Sequence, residues 1–500
     1  MRICNLNFHS REKDPLSAPI CAKEVSKVFS DCKDFELRGI WPGGKVQKGV
    51  SVCWLDGVVS GKNVSEDVIR PLTDYLRLAG ADGSAEQIEH LLRGAVYSYS
   101  VKRREKLSDV VDDILHGFCA ILFDDALCAL CFEVKTENNR SISTPTVEKT
   151  IKGGKDAFIE TLRTNTSLVR RKLRTAQLKL LETTVGRRSG TQVGIFYVEG
   201  IANGATLAEL RRRIDAIDID GLISAGNLEQ YIVDHPNSPF PQLLHTERPD
   251  KFATELLAGR IGILVDGLPI GFLLPATLPR FLKVAEDRAQ HFITASLLTL
   301  LRYFSTLITV LFPAFLVAIS MYHQEMIPAK LLQSMIDAKQ KVPFSVATEV
   351  ISMLIAFELL MEAGLRLPDP VGDTVSIIGA LIVGQSAVEA RVVSPIAVIV
   401  VATAAICGFT QPSRDMGAAL RLVRFAMVGL AIALGMYGIM LGSTLLVWYL
   451  CTLENFGIPY VSPMAEGGWR ENLKAFLRPP LPRDKFREEA LRTGDKRNQK

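Results

Sequence analysis

The chain has 500 residues, with 58 Lys plus Arg against 54 Asp plus Glu and nine cysteines. The charge is unevenly spread: residues 1–291 hold 39 basic and 38 acidic side chains, whereas residues 292–451 hold nine of each. A charge-poor stretch of that length excludes a purely cytosolic enzyme, the near-neutral balance argues against nucleic acid as the main partner, and an odd, scattered cysteine set is not a disulfide framework.

In chain order, the N-terminus Met1-Arg-Ile-Cys-Asn-Leu-Asn-Phe has no apolar signal core, so the first part is expected to stay in the cytosol. An internal duplication follows. Val50-Ser-Val-Cys-Trp-Leu-Asp-Gly-Val-Val-Ser-Gly61 aligns without a gap on Val193-Gly-Ile-Phe-Tyr-Val-Glu-Gly-Ile-Ala-Asn-Gly204, each a strand pattern leading into a helical one. Gly117-Phe-Cys-Ala-Ile-Leu-Phe-Asp-Asp-Ala-Leu-Cys and Gly259-Arg-Ile-Gly-Ile-Leu-Val-Asp-Gly-Leu-Pro-Ile both read as hairpins. The spacings agree, 67 residues from Val50 to Gly117 and 66 from Val193 to Gly259.

The expected fold class is therefore α/β plus an α-helical membrane domain: two similar cytosolic α/β subdomains followed by a transmembrane helical bundle. The expected boundaries are a variable segment 1–29, subdomains 30–150 and 190–290 joined by a basic helical connector 151–189, a membrane domain 291–455 and a basic cytosolic tail 456–500. Cys128 and Cys131 form a CxxC, but no second pair at zinc spacing follows, and the segment reads as a buried strand with reduced thiols. The connector stretch Arg163-Thr-Asn-Thr-Ser-Leu-Val-Arg-Arg-Lys-Leu-Arg174 reads as a basic helix, either a solvated face or a contact for anionic lipid or an acidic partner.

Three apolar runs, Tyr303–Tyr322, Val392–Ser413 and Phe425–Leu453, are long enough to cross a hydrocarbon core. Phe344–Met361 and Thr374–Val388 are marginal. The tail residues Arg470, Lys474, Arg478, Arg483, Lys485 and Arg487 belong on the cytosolic side, so both ends share one side and the number of crossings is even. Four crossings result if Phe344–Glu389 supplies one; the alternative is that the marginal segments pair as a short helical hairpin and the count is odd. Pro313 and Gly429, Gly435, Gly438 and Gly442 require neighbouring helices.

The short helical stretch from Asp373 places Ser376, Ala380 and Gly384 on one small-residue stripe, with Gln385 and Glu389 four apart near its end. Such a stripe serves close helix packing or, in several copies around an axis, lines a path, with Ser376, Ala380, Val383, Gln385 and Glu389 as lining. Glu349, Glu358 and Glu362 are costly facing lipid and are expected to find a polar contact; His323 and Glu325 read as a polar cap at the end of a span. No nucleotide, metalloprotease or serine-hydrolase motif is present, no cofactor or metal is implied, and the chain is not expected to be an enzyme.

Several stretches are similar to one family: Glu160-Thr-Leu-Arg-Thr-Asn-Thr-Ser-Leu-Val-Arg-Arg171, Ser238-Pro-Phe-Pro-Gln242, Thr246-Glu-Arg-Pro-Asp250, His323-Gln-Glu-Met-Ile-Pro328, Glu362-Ala-Gly-Leu-Arg-Leu-Pro368 and Ser376-Ile-Ile-Gly-Ala-Leu-Ile-Val-Gly-Gln385. The chain resembles the A subunit of the GerA-type spore germinant receptors from about Phe35 to Pro463. That resemblance implies a protein of the spore inner membrane, a transporter-like B subunit and a lipoprotein C subunit as partners, and nutrient sensing by an oligomer that conducts ions. It leaves two alternatives: a non-conducting scaffold or signalling subunit, and a sporulation-protein paralogue.

Overall fold

The computed structural model describes residues 18–41, 50–74, 84–96, 100–134, 144–145, 148, 150, 152–366 and 384–499. The first module is α1 (Ala22–Val28), β1 (Phe35–Ile40), β2 (Val50–Leu55), α2 (61–73), α3 (Ser84–His90), β3 (Val101–Arg104), α4 (Leu107–Leu115), β4 (Phe118–Phe123) and β5 (Cys128–Glu133). The second is α5 (Leu162–Lys172), β6 (Leu178–Val185), β7 (Thr191–Val198), α6 (Gly204–Asp215), α7 (Ala225–Ile232), β8 (Leu244–Thr246), α8 (Pro249–Leu257), β9 (Ile261–Val265) and β10 (Gly271–Leu274).

Each module carries a five-stranded antiparallel sheet, ordered β1-β2-β4-β5-β3 in one and β6-β7-β9-β10-β8 in the other. The register repeats as well: Val52 faces Ile121 and Leu122 faces Ala129 in the first sheet, while Ile195 faces Ile263 and Leu264 faces Gly271 in the second. A one-residue slip would turn every side chain to the opposite face, so shared register establishes the duplication that the two strand pairs suggested.

The repeat starts one helix earlier than its strands. α1 packs under the first sheet through Val25, with Ile20 and Phe29 beside it, and α5 holds the corresponding place in the second. The basic helix α5 is therefore neither a solvated face nor a lipid contact. Its Leu162, Leu168 and Val169 are buried, and Arg170 runs between the modules, its Nε 2.7 Å and Nη2 2.8 Å from the two carboxylate oxygens of Asp34. The third arm of the guanidinium donates to the Leu178 carbonyl at 2.8 Å. Cys128 and Cys131 lie in the buried strand β5, where burial pushes their thiols up.

The remaining helices are α9 (Phe292–Tyr322), α10 (Ala329–Lys339), α11 (Val346–Arg366), α12 (Pro395–Phe409), α13 (Arg414–Thr452) and α14 (Trp469–Phe476), with a short helical piece at 384–389. Among the described residues, α9 and α13 are long and apolar enough to cross a membrane. The run Val392–Ser413 yields only 15 helical residues in α12, roughly 22 Å, because Ser394 caps its start and Pro412 follows its end.

The last run, Phe425–Leu453, is not one straight span, and that expectation is corrected. At Gly435 (φ 59°) α13 folds back on itself, giving arms of roughly 31 and 25 Å. The arms touch so closely that a Cβ on Gly438 would overlap the Leu430 carbonyl, and one on Gly442 would lie 2.7 Å from the Met427 sulfur. Gly438 and Gly442 thus serve close packing of α13 against itself, whereas a Cβ on Gly429 would meet nothing within 4 Å. Tyr322, the last residue of α9, covers this turn, its hydroxyl donating to the Ile432 carbonyl at 2.6 Å. The start of α9 and both ends of α13 consequently lie against the second module.

Candidate functional site

Two sets of polar groups organise the helices: one where they leave the second module, one between the helices themselves.

At the module, Asp415 in the first turn of α13 meets His245 of β8, Nδ1 to Oδ2 3.1 Å. Glu229 of α7 approaches the other ring nitrogen at 3.5 Å, an ion-pair rather than a hydrogen-bond distance. Burial disfavours the imidazolium, yet the Asp415 hydrogen bond and the Glu229 charge outweigh it and raise His245 to about 9. In the first sheet the same register position, opposite Leu130 as His245 is opposite Phe272, carries Arg103. The repeats therefore diverge where the second one meets the helices. A histidine whose folded value is raised stabilises fully below its ordinary value of 6.5 and loses that contribution as pH rises through about 9. Amide exchange at the start of α13 should accordingly quicken between pH 7 and 10, and His245→Gln should flatten that dependence.

The chain after α13 closes on the same module. Asn455 donates to the carbonyls of Gln242 and, at 3.2 Å, Ala276; the Tyr460 hydroxyl donates to the Pro241 carbonyl at 2.8 Å. Further on, Arg478 donates to the carbonyls of Asp287, Arg288 (2.9 Å) and Gln290 (2.8 Å), which immediately precede α9, and its backbone N–H donates to Ser296 at 2.9 Å. Glu488 accepts from Arg260 at 2.8 Å, and Arg260 also reaches Glu255, which takes Arg280 at 3.0 Å. The tail is thus folded onto the second module and splints its junction with α9.

Among the helices, the Glu349 carboxylate is fully buried at the N-terminus of α12, where it accepts the Ser394 N–H at 2.8 Å and pairs with Lys339 of α10. Positive helix-end dipole and ammonium together offset its desolvation. Glu358 pairs with Arg421 at 2.9 Å and lies 3.8 Å from Arg424, tying α11 to the first arm of α13. Glu362, one turn on, is exposed. His323 follows the last residue of α9, its Nδ1 3.9 Å from exposed Glu325. Gln385 and Glu389 are exposed and hydrogen-bonded to one another at 3.0 Å. Ser376, Ala380 and Val383 lie outside the described residues.

Among the described residues, the expected site residues do not converge on one point. Glu349 and Glu358 have separate cationic partners, and those partners, Lys339, Arg421 and Arg424, were missed. The available signal was charge balance: the nine basic residues within 292–451 are the natural counterions for the carboxylates of the same charge-poor stretch.

Residues 23–490 match the model of the family described as Bacillus/Clostridium GerA spore germination protein. This chain belongs to the GerA family. It is 34% identical to spore germination protein KA of Bacillus subtilis, over 97% of this chain and 89% of that one. To spore germination protein GerQA of Bacillus cereus the identity is 39%, over 77% and 79%. The N-terminal domain of the A subunit of the Bacillus megaterium spore germinant receptor GerK3 is 27% identical, covering 51% of this chain and 93% of that one, with a TM-score of 0.41. Membership of the GerA family explains the collinear stretches, several of which are structural. Gln242 of Ser238-Pro-Phe-Pro-Gln242 holds the His235 backbone at 3.1 and 2.6 Å, and its neighbours receive the returning chain.

Proposed function

We propose that the protein is a membrane subunit of a nutrient receptor that triggers spore germination, working in the spore inner membrane with its α/β modules on the core side. Its partners are a transporter-like B subunit and a lipoprotein C subunit, and copies of the chain assemble into a ligand-gated ion channel. The stretch Ser376–Glu389 lines the path, with Val383 as the apolar constriction.

One contrast supports this reading. Glu349 and Glu358 are matched by cations of their own chain, whereas Gln385 and Glu389 are exposed and, among the described residues, hydrogen-bond each other. Polar side chains left outward among apolar helices require water or a neighbouring copy. A nutrient that binds the conducting state more tightly would shift the assembly toward it. The second reading, a signalling subunit that does not conduct, is favoured by the ties of α9 and α13 to the second module, which would equally carry a conformational signal.

Crosslinking discriminates. Gln385→Cys in native membranes should give covalent dimers with a short bismaleimide, while Trp448→Cys, outward on α13, should not. No crosslink at position 385 in assembled protein would favour the signalling subunit.

A further inference from the structure

At the end of the helical region away from the modules, α10 covers the other helices without burying any of its own residues. Its apolar side chains Leu332, Met335 and Ile336 nevertheless sit at helical spacing on one side and face a cavity of about 240 Å³. Leu316 of α9 and Ile396 of α12 are among the residues of the opposite wall. The space is partly open to the surface, and because α10 buries none of its residues, the apolar side chains that line it lack dispersion partners on that side, which an occupant would supply.

The polar lining limits what that occupant is. Lys339 reaches the cavity, but its charge is neutralised by Glu349, so the wall offers no net charge to a charged ligand. Ser320, two residues before the end of α9, also lines the space, and its buried Oγ has no hydrogen-bond partner among the described residues. A buried hydroxyl left unpaired is costly, and a ligand hydroxyl would satisfy it.

We infer that this cavity is a binding site for a compact, neutral amphiphile: a hydrocarbon body under α10, with one hydroxyl or amide on Ser320. That chemistry has two sources, a free solute such as a medium-chain alcohol or a neutral membrane lipid. The lining residues named here all lie outside the Ser376–Glu389 stretch in the sequence, and the proposal does not depend on ion conduction.

The test uses the full chain in detergent and a medium-chain alkanol carrying an aliphatic diazirine as the probe. Photolabel should map to α10 and the start of α12, be displaced by unlabelled 1-octanol, and fall roughly 10-fold or more in Ile336→Trp, which fills the space. Ser320→Ala should weaken binding about 5- to 10-fold, the loss of one hydrogen bond. Should Ile336→Trp fail to elute as folded protein, Met335→Phe replaces it as the filling variant. Label spread over the outward faces of α9 and α13, or unchanged by the filling variant, would overturn the proposal. Lipid extraction separates the sources: a neutral lipid retained by the wild type and lost from the filled variant identifies the membrane, and alkanol binding without retained lipid identifies a solute.

Discussion

Replacing Arg170 with alanine should speed amide exchange in β1 and β6 by at least about 100-fold, the equivalent of about 3–5 kcal/mol of local stability. The reason is that Asp34 and Arg170 are both fully buried, joined by two charge-assisted hydrogen bonds, and belong to different modules. Removing the guanidinium strands a carboxylate in the interface and frees the Leu178 carbonyl that it also holds. Arg170→Lys should recover part of the loss, because an ammonium cannot satisfy both carboxylate oxygens in the same plane. The double variant Asp34→Asn, Arg170→Met should lie closer to the wild type than Arg170→Ala alone, since no charge is then left uncompensated. Arg174, exposed two residues beyond α5, is the control: Arg174→Ala should stay within about 0.5 kcal/mol.

Acid should release the tail. Burial pushes the Glu255 carboxyl up, but the guanidinium groups of Arg280, Arg260 and Arg288 overcome this and hold it at about 2; Glu488 is likewise held well below the usual carboxylate range. A carboxylate whose folded value is depressed contributes its stability above the unfolded value, 4.5 for Glu255, and loses it as pH falls through the folded one. For buried Glu255 that contribution is about 3 kcal/mol. Limited proteolysis after residue 480 should therefore be slow at pH 7 and accelerate steeply between pH 4.5 and 2. Glu255→Gln should give fast cleavage already at pH 7, leaving Arg260 and Arg280 with Glu488 alone. Equal cleavage of variant and wild type at neutral pH would mean that the tail is held by other contacts.

Much of the architecture was legible in the chain because the duplication is written in β-branched strands whose register is fixed by burial on both faces. The basic helix was legible, but its burial as the opening of the second repeat was hidden by Arg163, Arg170, Arg171 and Lys172: a basic helix ordinarily faces water, and the distant Asp34 offsets the cost of burying Arg170. The fold-back of α13 was hidden for a different reason. Hydropathy measures how apolar a run is and not its direction, and Gly435 looks like any other small residue in such a run until its backbone is seen at positive φ. For the polar groups, the need of Glu349 and Glu358 for partners was legible, while the partners depended on which helices meet.

Conduction is tested by ion flux from liposomes containing the purified chain, alone and with the proposed B and C subunits, for the wild type and Val383→Ser. The proposal predicts low flux from the wild type at rest, an increase with nutrient when the partners are present, and a raised resting leak in Val383→Ser, because a small polar side chain no longer excludes water from the constriction. No flux in any combination, from protein shown to be folded and assembled, would contradict it and leave the signalling subunit as the account of this chain.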